Sequence, residues 1–206
     1  DDGYADVIVG AFDYDAGEAD EGAAFVFHGG PSGIPNGNPA TANATIQSNQ
    51  ADADLGWSVA GVGDVNGDGF PDVIAGAKAY DSGQTDEGAV FVFHGGFMGV
   101  GNGSPSSADS TVQSDQIGAG FGYSVHGVGD SNGDGFADVV VGAANTDLGG
   151  SDRGRVHLYH GSAGGPVSAW TFEGDADNGY LGRAVAGVGD LDGDGYSDVV
   201  VGAPFY

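Results

Sequence analysis

The 206-residue chain has no cysteine and only four basic residues against thirty acidic ones, so its formal net charge is −26. The absence of cysteine excludes a disulfide framework and a thiol nucleophile. The scarcity of lysine and arginine argues against a nucleic-acid partner, because phosphates are bound by basic groups that displace their counterions. No apolar run approaches the roughly 20 residues of a membrane-spanning helix. We therefore expect neither nucleic-acid binding nor direct membrane insertion.

Glycine and aspartate are abundant instead. The chain contains 43 glycines, and only four of its acidic residues are glutamate. Aspartate and glycine both favour turns and loops, whereas a helical surface would favour glutamate. Hard cations such as Ca²⁺ are bound by oxygen ligands, which gives one reason to collect aspartate in loops.

Internal repetition organises the chain. A fourteen-residue segment at 64–77 returns at 130–143 and 190–203, and its last part also opens the chain at 2–11. The segment that follows is repeated as well, since Asp-Glu-Gly-Ala at 20–23 returns at 86–89 and a looser copy follows later. We divide the chain into repeats of approximately 1–54, 55–120 and 121–180, with a partial repeat at 181–206. A period of this length is typical of a repeat architecture.

Each full repeat is predicted to contain four short strands. In the middle repeat they cover about 57–62, 72–77, 89–94 and 110–114, which are rich in β-branched and aromatic residues and bounded by turn residues. No segment keeps a helical apolar period, so we expect very little helix. The whole chain then has thirteen strands, grouped as three, four, four and two. We predict an all-β fold of β-propeller blades, each of four antiparallel strands, about three blades in number and open or incomplete. A β-sandwich is the competing interpretation, but it does not explain the repeat.

The loop between the first and second strands of a repeat has the pattern Asp-x-Asn/Asp-x-Asp-Gly-x-x-Asp. Alternating oxygen ligands with a glycine at the sharp turn resemble the first half of an EF-hand loop, and such ligands select Ca²⁺ over Mg²⁺ and softer metals. We predict about three Ca²⁺ ions, one for each complete loop. The predicted side-chain and carbonyl ligands are Asp64, Asn66, Asp68, Phe70 and Asp72; Asp130, Asn132, Asp134, Phe136 and Asp138; and Asp190, Asp192, Asp194, Tyr196 and Asp198.

The alternative interpretation of these loops is a set of aspartate-rich turns that bind nothing. Every ligand position is filled in all three copies, and this favours metal binding. Carboxylates aimed at one point repel each other unless a cation neutralises them. The loop at the start of the chain keeps only Asp2 and Asp6, so we expect weak binding or none there.

We expect structural roles for three other sets of residues. The first set ends each third strand on a different blade, and it comprises His28, His94 and His160. The second set could form extra cation sites, but solvated acidic hairpins are favoured; it comprises Asp15, Asp20 and Glu21 with Asp81, Asp86 and Glu87. The third set could stack on a sugar, but packing between blades is favoured; it comprises Trp57, Tyr123 and Arg183.

These motifs resemble the FG-GAP repeat of integrin-α-type β-propellers. The two halves of that name stand here as Phe121-Gly122 and Gly202-Ala203-Pro204, with variants such as Leu55-Gly56 in other repeats and the calcium loop between them. The resemblance covers nearly the whole chain. It implies a seven-bladed propeller in complete family members, Ca²⁺ in the loops of some blades, and adhesion or ligand binding outside the cell. Seven such blades would need more residues than this chain has, so we expect a piece of a longer chain or of an assembly.

We therefore expect a calcium-binding, non-catalytic propeller module for extracellular adhesion, ligand binding or structural assembly, secreted or at the cell surface. Its partners would be a protein or glycan outside the cell, or copies of itself. No catalytic constellation stands out in the sequence. The alternatives are a carbohydrate-binding, lectin-like propeller and the propeller part of a secreted polysaccharide-acting enzyme.

Overall fold

The computed structural model describes residues 2–206 and places thirteen strands in them. The strands are β1 Val7–Ala11, β2 Ala23–Phe27, β3 Ala44–Gln47, β4 Leu55–Gly63, β5 Asp72–Ala77, β6 Ala89–Phe93, β7 Ser110–Gln113, β8 Phe121–Gly129, β9 Asp138–Ala143, β10 Arg155–His160, β11 Val167–Glu173, β12 Ala184–Gly189 and β13 Asp198–Gly202. Two single 3₁₀ turns, Pro39–Thr41 and Pro105–Ser107, precede β3 and β7. Among the described residues no helix is long and apolar enough to cross a membrane.

The strands form four antiparallel sheets in chain order. Blade 1 is β1–β2–β3, blade 2 is β4–β5–β6–β7, blade 3 is β8–β9–β10–β11, and the C-terminal hairpin is β12–β13. The structure confirms the all-β prediction and the grouping of three, four, four and two strands, and the sheets do not close into a ring. The first strand of blade 2 is longer than predicted. It runs from Leu55 to Gly63 because register irregularities near both ends let the pairing with β5 continue.

The core lies between successive blades, where side chains of one sheet pack on the next. Between blades 1 and 2, Ile46 packs with Phe91 and Phe93. Between blades 2 and 3, the cluster contains Ile74, Val90, Val92, Phe121, Val139, Val141 and Tyr159. Each central strand is therefore apolar on both faces, which is why the sequence of β5 and β9 does not alternate.

Each of the strands β1, β5 and β9 carries a glycine that lies against a glycine at, or just before, the start of the first strand of the following sheet. A Cβ atom at Gly76 would collide with the carbonyl oxygen of Gly122 and with Ser58 Oγ, and the Ser58 hydroxyl donates a 2.7 Å hydrogen bond to that same carbonyl. Gly122 has φ +85°, a conformation that favours glycine. The same contact recurs at the other boundaries between Gly10 and Gly56 and between Gly142 and Gly182.

His157 in β10 occupies the position that Phe91 has in blade 2. Its imidazole lies 5.2 Å from the Phe121 ring in an edge-to-face arrangement. Burial, with a smaller contribution from Arg155, lowers the pKa of His157 to about 4. The side chain is therefore neutral in the folded protein over most of the accessible pH range.

Replacing Gly76 by alanine is expected to lower the free energy of unfolding by about 1–3 kcal/mol, the usual cost of overpacking. The added methyl group meets backbone of the next blade, which cannot move aside as a side chain can. Gly61→Ala is the matched control, because a Cβ at Gly61 has open space around it. Urea unfolding measures both variants, and equal destabilisation by the two would contradict the close backbone contact.

Replacing His157 by phenylalanine is expected to reduce the loss of stability in acid. Because the folded pKa is lowered, the unfolded chain takes up a proton as the pH falls from about 6.5 to about 4 while folded His157 stays neutral, and stability falls by at most roughly 3 kcal/mol. Phenylalanine removes this contribution, so the gain over wild type should be larger at pH 4.5 than at pH 7. Urea midpoints at the two pH values measure it, and an equal gain at both would count against the proposed cause.

Candidate metal centres

The three complete aspartate loops join the first and second strands of blades 2 and 3 and of the C-terminal hairpin. The loop of blade 2 lies between Gly63 and Asp72. Two glycines in it have positive φ, +78° at Gly67 and +91° at Gly69, and their counterparts in the other loops do the same. These positions let the chain fold back within a few residues and turn its N–H groups inward.

The first aspartate of each loop receives those N–H groups. The Asp64 carboxylate accepts hydrogen bonds from the backbone of Gly67 at 2.6 Å, Asp68 at 3.0 Å and Gly69 at 2.8 Å. The same three bonds, between 2.7 and 3.1 Å, form at Asp130 and at Asp190. Each loop is thus folded around the side chain of its first aspartate, which accepts three backbone hydrogen bonds.

Hydrogen bonds lower the pKa of the first aspartate in two loops and of the fifth aspartate in the loop of blade 2. Hydrogen bonds from the loop backbone, led by that of Gly135, lower the pKa of Asp130, and the bond from Gly195 does the same for Asp190. The Asn66 side-chain amide lowers the pKa of Asp68, to which it donates a 2.9 Å hydrogen bond. Each loop therefore carries concentrated negative charge at neutral pH.

The third and fifth positions bring further oxygens alongside the first aspartate. In the C-terminal hairpin, Asp190, Asp192 and Asp194 each offer a carboxylate oxygen, and these oxygens lie within 4.8 Å of one another. Among residues 2–206 this is the single group of three acidic, histidine or cysteine side chains that meets that distance. The loops of blades 2 and 3 have an asparagine at the third position, so amide oxygen takes the place of the third carboxylate there.

The ninth position behaves differently from the rest of the predicted ligand set. Asp72 is buried, and its two oxygens accept hydrogen bonds from Val65 N at 2.9 Å and Gly95 N at 2.8 Å. Burial raises its pKa despite these bonds. Asp138 is held in the same way by Ser131 and Gly161. In blades 2 and 3 the ninth aspartate therefore ties the loop to the end of the third strand. In the C-terminal hairpin, Asp198 accepts a 2.8 Å hydrogen bond from Leu191 N.

In the second and third loops the aromatic residue at the seventh position also contacts the preceding loop. The backbone N–H of Phe70, Phe136 and Tyr196 donates a 2.9 Å hydrogen bond to the fifth aspartate of its own loop. The Phe136 ring then lies directly over Gly67 of the preceding loop, and the Tyr196 ring lies over Gly133. Successive loops are therefore in contact along one edge of the blade array.

The sequence predicted solvated acidic hairpins between the second and third strands, and for their glutamates this prediction is wrong. Glu21 and Glu87 are buried. Glu87 Oε1 accepts hydrogen bonds from Ser82 N and Gln84 N at 2.8 and 3.1 Å, and Glu21 accepts from Glu18 N and Asn49 N. In blade 3 the equivalent Arg153 forms an ion pair with Asp177 at 2.6 Å instead. These glutamates hold their hairpins by backbone hydrogen bonds, a role that composition does not reveal.

The histidines lie on separate blades, and two of the aromatic residues contact each other between blades. His160 is the last residue of β10, and His28 and His94 directly follow β2 and β6, the equivalent strands of blades 1 and 2. Trp57 and Tyr123 contact each other across the boundary of blades 2 and 3, with ring centroids 5.4 Å apart. The Lys78 ammonium lies 4.0 Å from the centroid of Trp57.

The family model for the FG-GAP repeat matches residues 55–93, 121–159 and 181–206, about half of the chain. The chain is 37% identical over 150 residues to integrin alpha-6 of Homo sapiens, covering 72% of this chain and 12% of that protein. It is 35% identical over 147 residues to integrin alpha-4 of Xenopus laevis, covering 68% and 13%. It is 34% identical over 159 residues to integrin alpha-V of Gallus gallus, covering 75% and 14%. The chain thus spans 12 to 14% of the length of these relatives.

A solved structure with a similar fold is Bacillus licheniformis rhamnogalacturonan lyase PL11. The TM-score is 0.52 at 17% sequence identity, over 98% of this chain and 38% of the lyase chain. This likeness concerns the fold alone. The repeated loops, the blade order and the matched segments together establish the family: the chain belongs to the FG-GAP repeat family and is an integrin-alpha-type β-propeller.

Proposed function

We propose that the chain is a calcium-binding, non-catalytic propeller module that binds a protein ligand outside the cell. The observation that carries the calcium part is the convergence of the Asp190, Asp192 and Asp194 carboxylates within 4.8 Å in a loop that occurs three times. Oxygen ligands alone, and several of them charged, suit Ca²⁺. The adhesion part is supported by the similarity to integrin alpha chains.

The loop residues fit a hard cation by their chemistry. Asp190 and Asp194 bring carboxylate oxygens within 4.8 Å of each other, and hydrogen bonds from the loop backbone lower the pKa of Asp190. A bound Ca²⁺ would supply positive charge at this point and remove the repulsion between carboxylates. Asp64, Asn66 and Asp68 would hold it in blade 2, with the Phe70 carbonyl and Asp72 as the remaining proposed ligands, and the other two loops would use the equivalent residues.

A bound ion would stabilise the hairpin whose two strands its loop connects. The C-terminal hairpin has two strands only, paired over Ala184–Gly189 and Asp198–Gly202. A cation in its connecting loop favours the folded hairpin because the unfolded chain does not gather the ligands. The non-catalytic part of the proposal is supported by the use of the loop carboxylates as acceptors for their own backbone.

Calcium is expected to raise the melting temperature, and EGTA to lower it. At a calcium concentration one hundred times Kd a single site adds about 2.7 kcal/mol, which corresponds to roughly 5–10 °C for a domain of this size. Differential scanning calorimetry in 0.15 M NaCl measures the shift. Equal melting temperatures in the two conditions would overturn the calcium proposal.

The double variant Asp192→Asn, Asp194→Asn is expected to lose part of the calcium-induced shift. In EGTA it should melt at the same temperature as wild type or higher, because it has less carboxylate repulsion and keeps its oxygen acceptors. Asp115→Asn removes one exposed acidic charge away from the loops and is the control, with the full calcium shift retained. A variant that lost stability equally with and without calcium would argue for a structural role of these aspartates alone.

The non-catalytic proposal is tested on the substrate class named for the structural neighbour. Incubation with rhamnogalacturonan in calcium is expected to release no unsaturated sugar ends. Chromatography of the digest measures this, with a lyase of the same specificity as positive control. Release of such products would overturn the non-catalytic proposal and leave the calcium proposal standing.

A further inference from the structure

Two of the three complete aspartate loops contain an asparagine followed by a glycine at their third and fourth positions. The pairs are Asn66-Gly67 in blade 2 and Asn132-Gly133 in blade 3, whereas the C-terminal hairpin has Asp192-Gly193 there. The two loops join described strands, β4 with β5 and β8 with β9. Asparagine before glycine is prone to spontaneous deamidation, because glycine has no Cβ to hinder attack by its own backbone nitrogen.

Deamidation requires one new bond between the two residues. The backbone nitrogen of the glycine attacks the carboxamide carbon of the asparagine side chain, the N–H proton passes through solvent to the leaving nitrogen, and ammonia departs. The product is a five-membered succinimide, which water opens to aspartate or isoaspartate. One water is consumed and one ammonia is released, and nothing is oxidised or reduced. The glycine nitrogen and the carboxamide must therefore both be free to approach each other.

The folded loops hold the attacking nitrogen in place. The Gly67 N–H donates a 2.6 Å hydrogen bond to Asp64 Oδ1, and the Gly133 N–H donates a 2.7 Å hydrogen bond to Asp130 Oδ1. A hydrogen bond to a carboxylate is stronger than one between neutral groups. It fixes the peptide plane of the glycine and opposes loss of the N–H proton. The first aspartate of each loop therefore opposes the attack.

The carboxamide is held as well. Asn66 Oδ1 accepts a 2.9 Å hydrogen bond from Asp68 N, and Asn66 Nδ2 donates a 2.9 Å hydrogen bond to Asp68 Oδ2. Asn132 makes the same two contacts with Asp134, at 2.9 and 2.8 Å. Rotation of either side chain toward the glycine nitrogen therefore breaks two hydrogen bonds to the fifth aspartate of the loop.

An aromatic ring of the following loop restricts the same glycine. A Cβ atom at Gly67 would lie 2.5 Å from Phe136 Cε1, and one at Gly133 would lie 3.1 Å from Tyr196 Cε1. Because the rings lie this close, the glycine peptide has little room to rotate while the neighbouring loop stays in place.

We propose that Asn66 and Asn132 are latent deamidation sites, which the first aspartate of each loop keeps unreactive in the folded protein. Local opening of a loop, or unfolding of its hairpin, frees both reacting groups. The covalent change then persists after the loop closes again, as chemical modification of an unfolded state does. The fraction of modified asparagine therefore records how often each loop has opened.

The two products have different effects on the loop. Aspartate reproduces the C-terminal hairpin, in which Gly193 N donates to Asp190 at 2.7 Å and Asp194 N donates to Asp192 at 3.1 Å. Isoaspartate adds a methylene group to the main chain, so the spacing of the later oxygen ligands is lost. For the calcium function proposed above, on which this consequence rests, the first product adds a carboxylate ligand and the second disrupts the site.

Asp64→Ala tests the role of the first aspartate, with the unchanged loop of blade 3 as a control in the same molecule. Loss of a hydrogen bond to a charged group should speed the conversion of Asn66 roughly tenfold or more, while Asn132 keeps its wild-type rate. Asp130→Ala should give the reverse result. Tandem mass spectrometry of peptides from protein incubated at mildly alkaline pH measures both sites. EGTA in every sample makes the result independent of the proposed calcium site.

Asp64→Asn is the conservative variant, because it keeps an oxygen acceptor for the Gly67 N–H. It should convert Asn66 more slowly than Asp64→Ala does. Wild-type protein in urea gives the rate of the open chain, and both asparagines should convert faster there than in the folded protein. Equal acceleration of Asn66 and Asn132 by Asp64→Ala, or an unchanged or lower rate at Asn66 in that variant, would overturn the proposal. Folded wild-type protein that converts both asparagines as fast as in urea would overturn it too.

Discussion

The close approach of two glycine backbones at each blade boundary is the constraint on which the rest of the structure depends. Gly76 of one blade lies against Gly122 of the next, and any side chain at Gly76 would push the two sheets apart. With the sheets this close, the valines and phenylalanines on their outer parts interlock into the apolar clusters between blades. The glycines in the two halves of the FG-GAP motif are thus two sides of one contact, contributed by successive repeats.

The aspartate loops concentrate negative charge at one end of the same hairpins. Each loop turns within a few residues and directs its N–H groups onto the first aspartate, so hydrogen bonds within the loop set its conformation. The cost of this arrangement is a high local density of negative charge. The buried ninth aspartate links this charged turn to the third strand, as the bond from Gly95 to Asp72 shows. A cation in the loop would therefore act on three strands of one sheet.

Much of the fold could be predicted because the repeat presents every signal several times. The length of the repeat indicated where one blade ends and the next begins. Strand propensity and the flanking turn residues predicted the bounds of β5 correctly. The loop ligands could be proposed by spacing alone. The buried state of Glu21 and Glu87 could not, because glutamate in an acidic hairpin has the composition of a solvated loop and its backbone partners become visible only in three dimensions. The anchoring role of Asp72 escaped prediction for the same reason, since its partner Gly95 lies 23 residues away.

Main-chain hydrogen bonds also connect each sheet to the next. Leu55 N donates to the Glu21 carbonyl, Phe121 N to that of Glu87, and Leu181 N to that of Arg153, so these three bonds each join a unit to the one that follows it through main-chain atoms. In such an array the free energy of folding is a sum of terms for single units and for contacts between neighbouring units. Main-chain hydrogen bonds do not depend on which side chains a unit carries. Duplication or loss of a whole unit in evolution would disturb a single junction, which leaves the ring size of such proteins open to change by simple recombination.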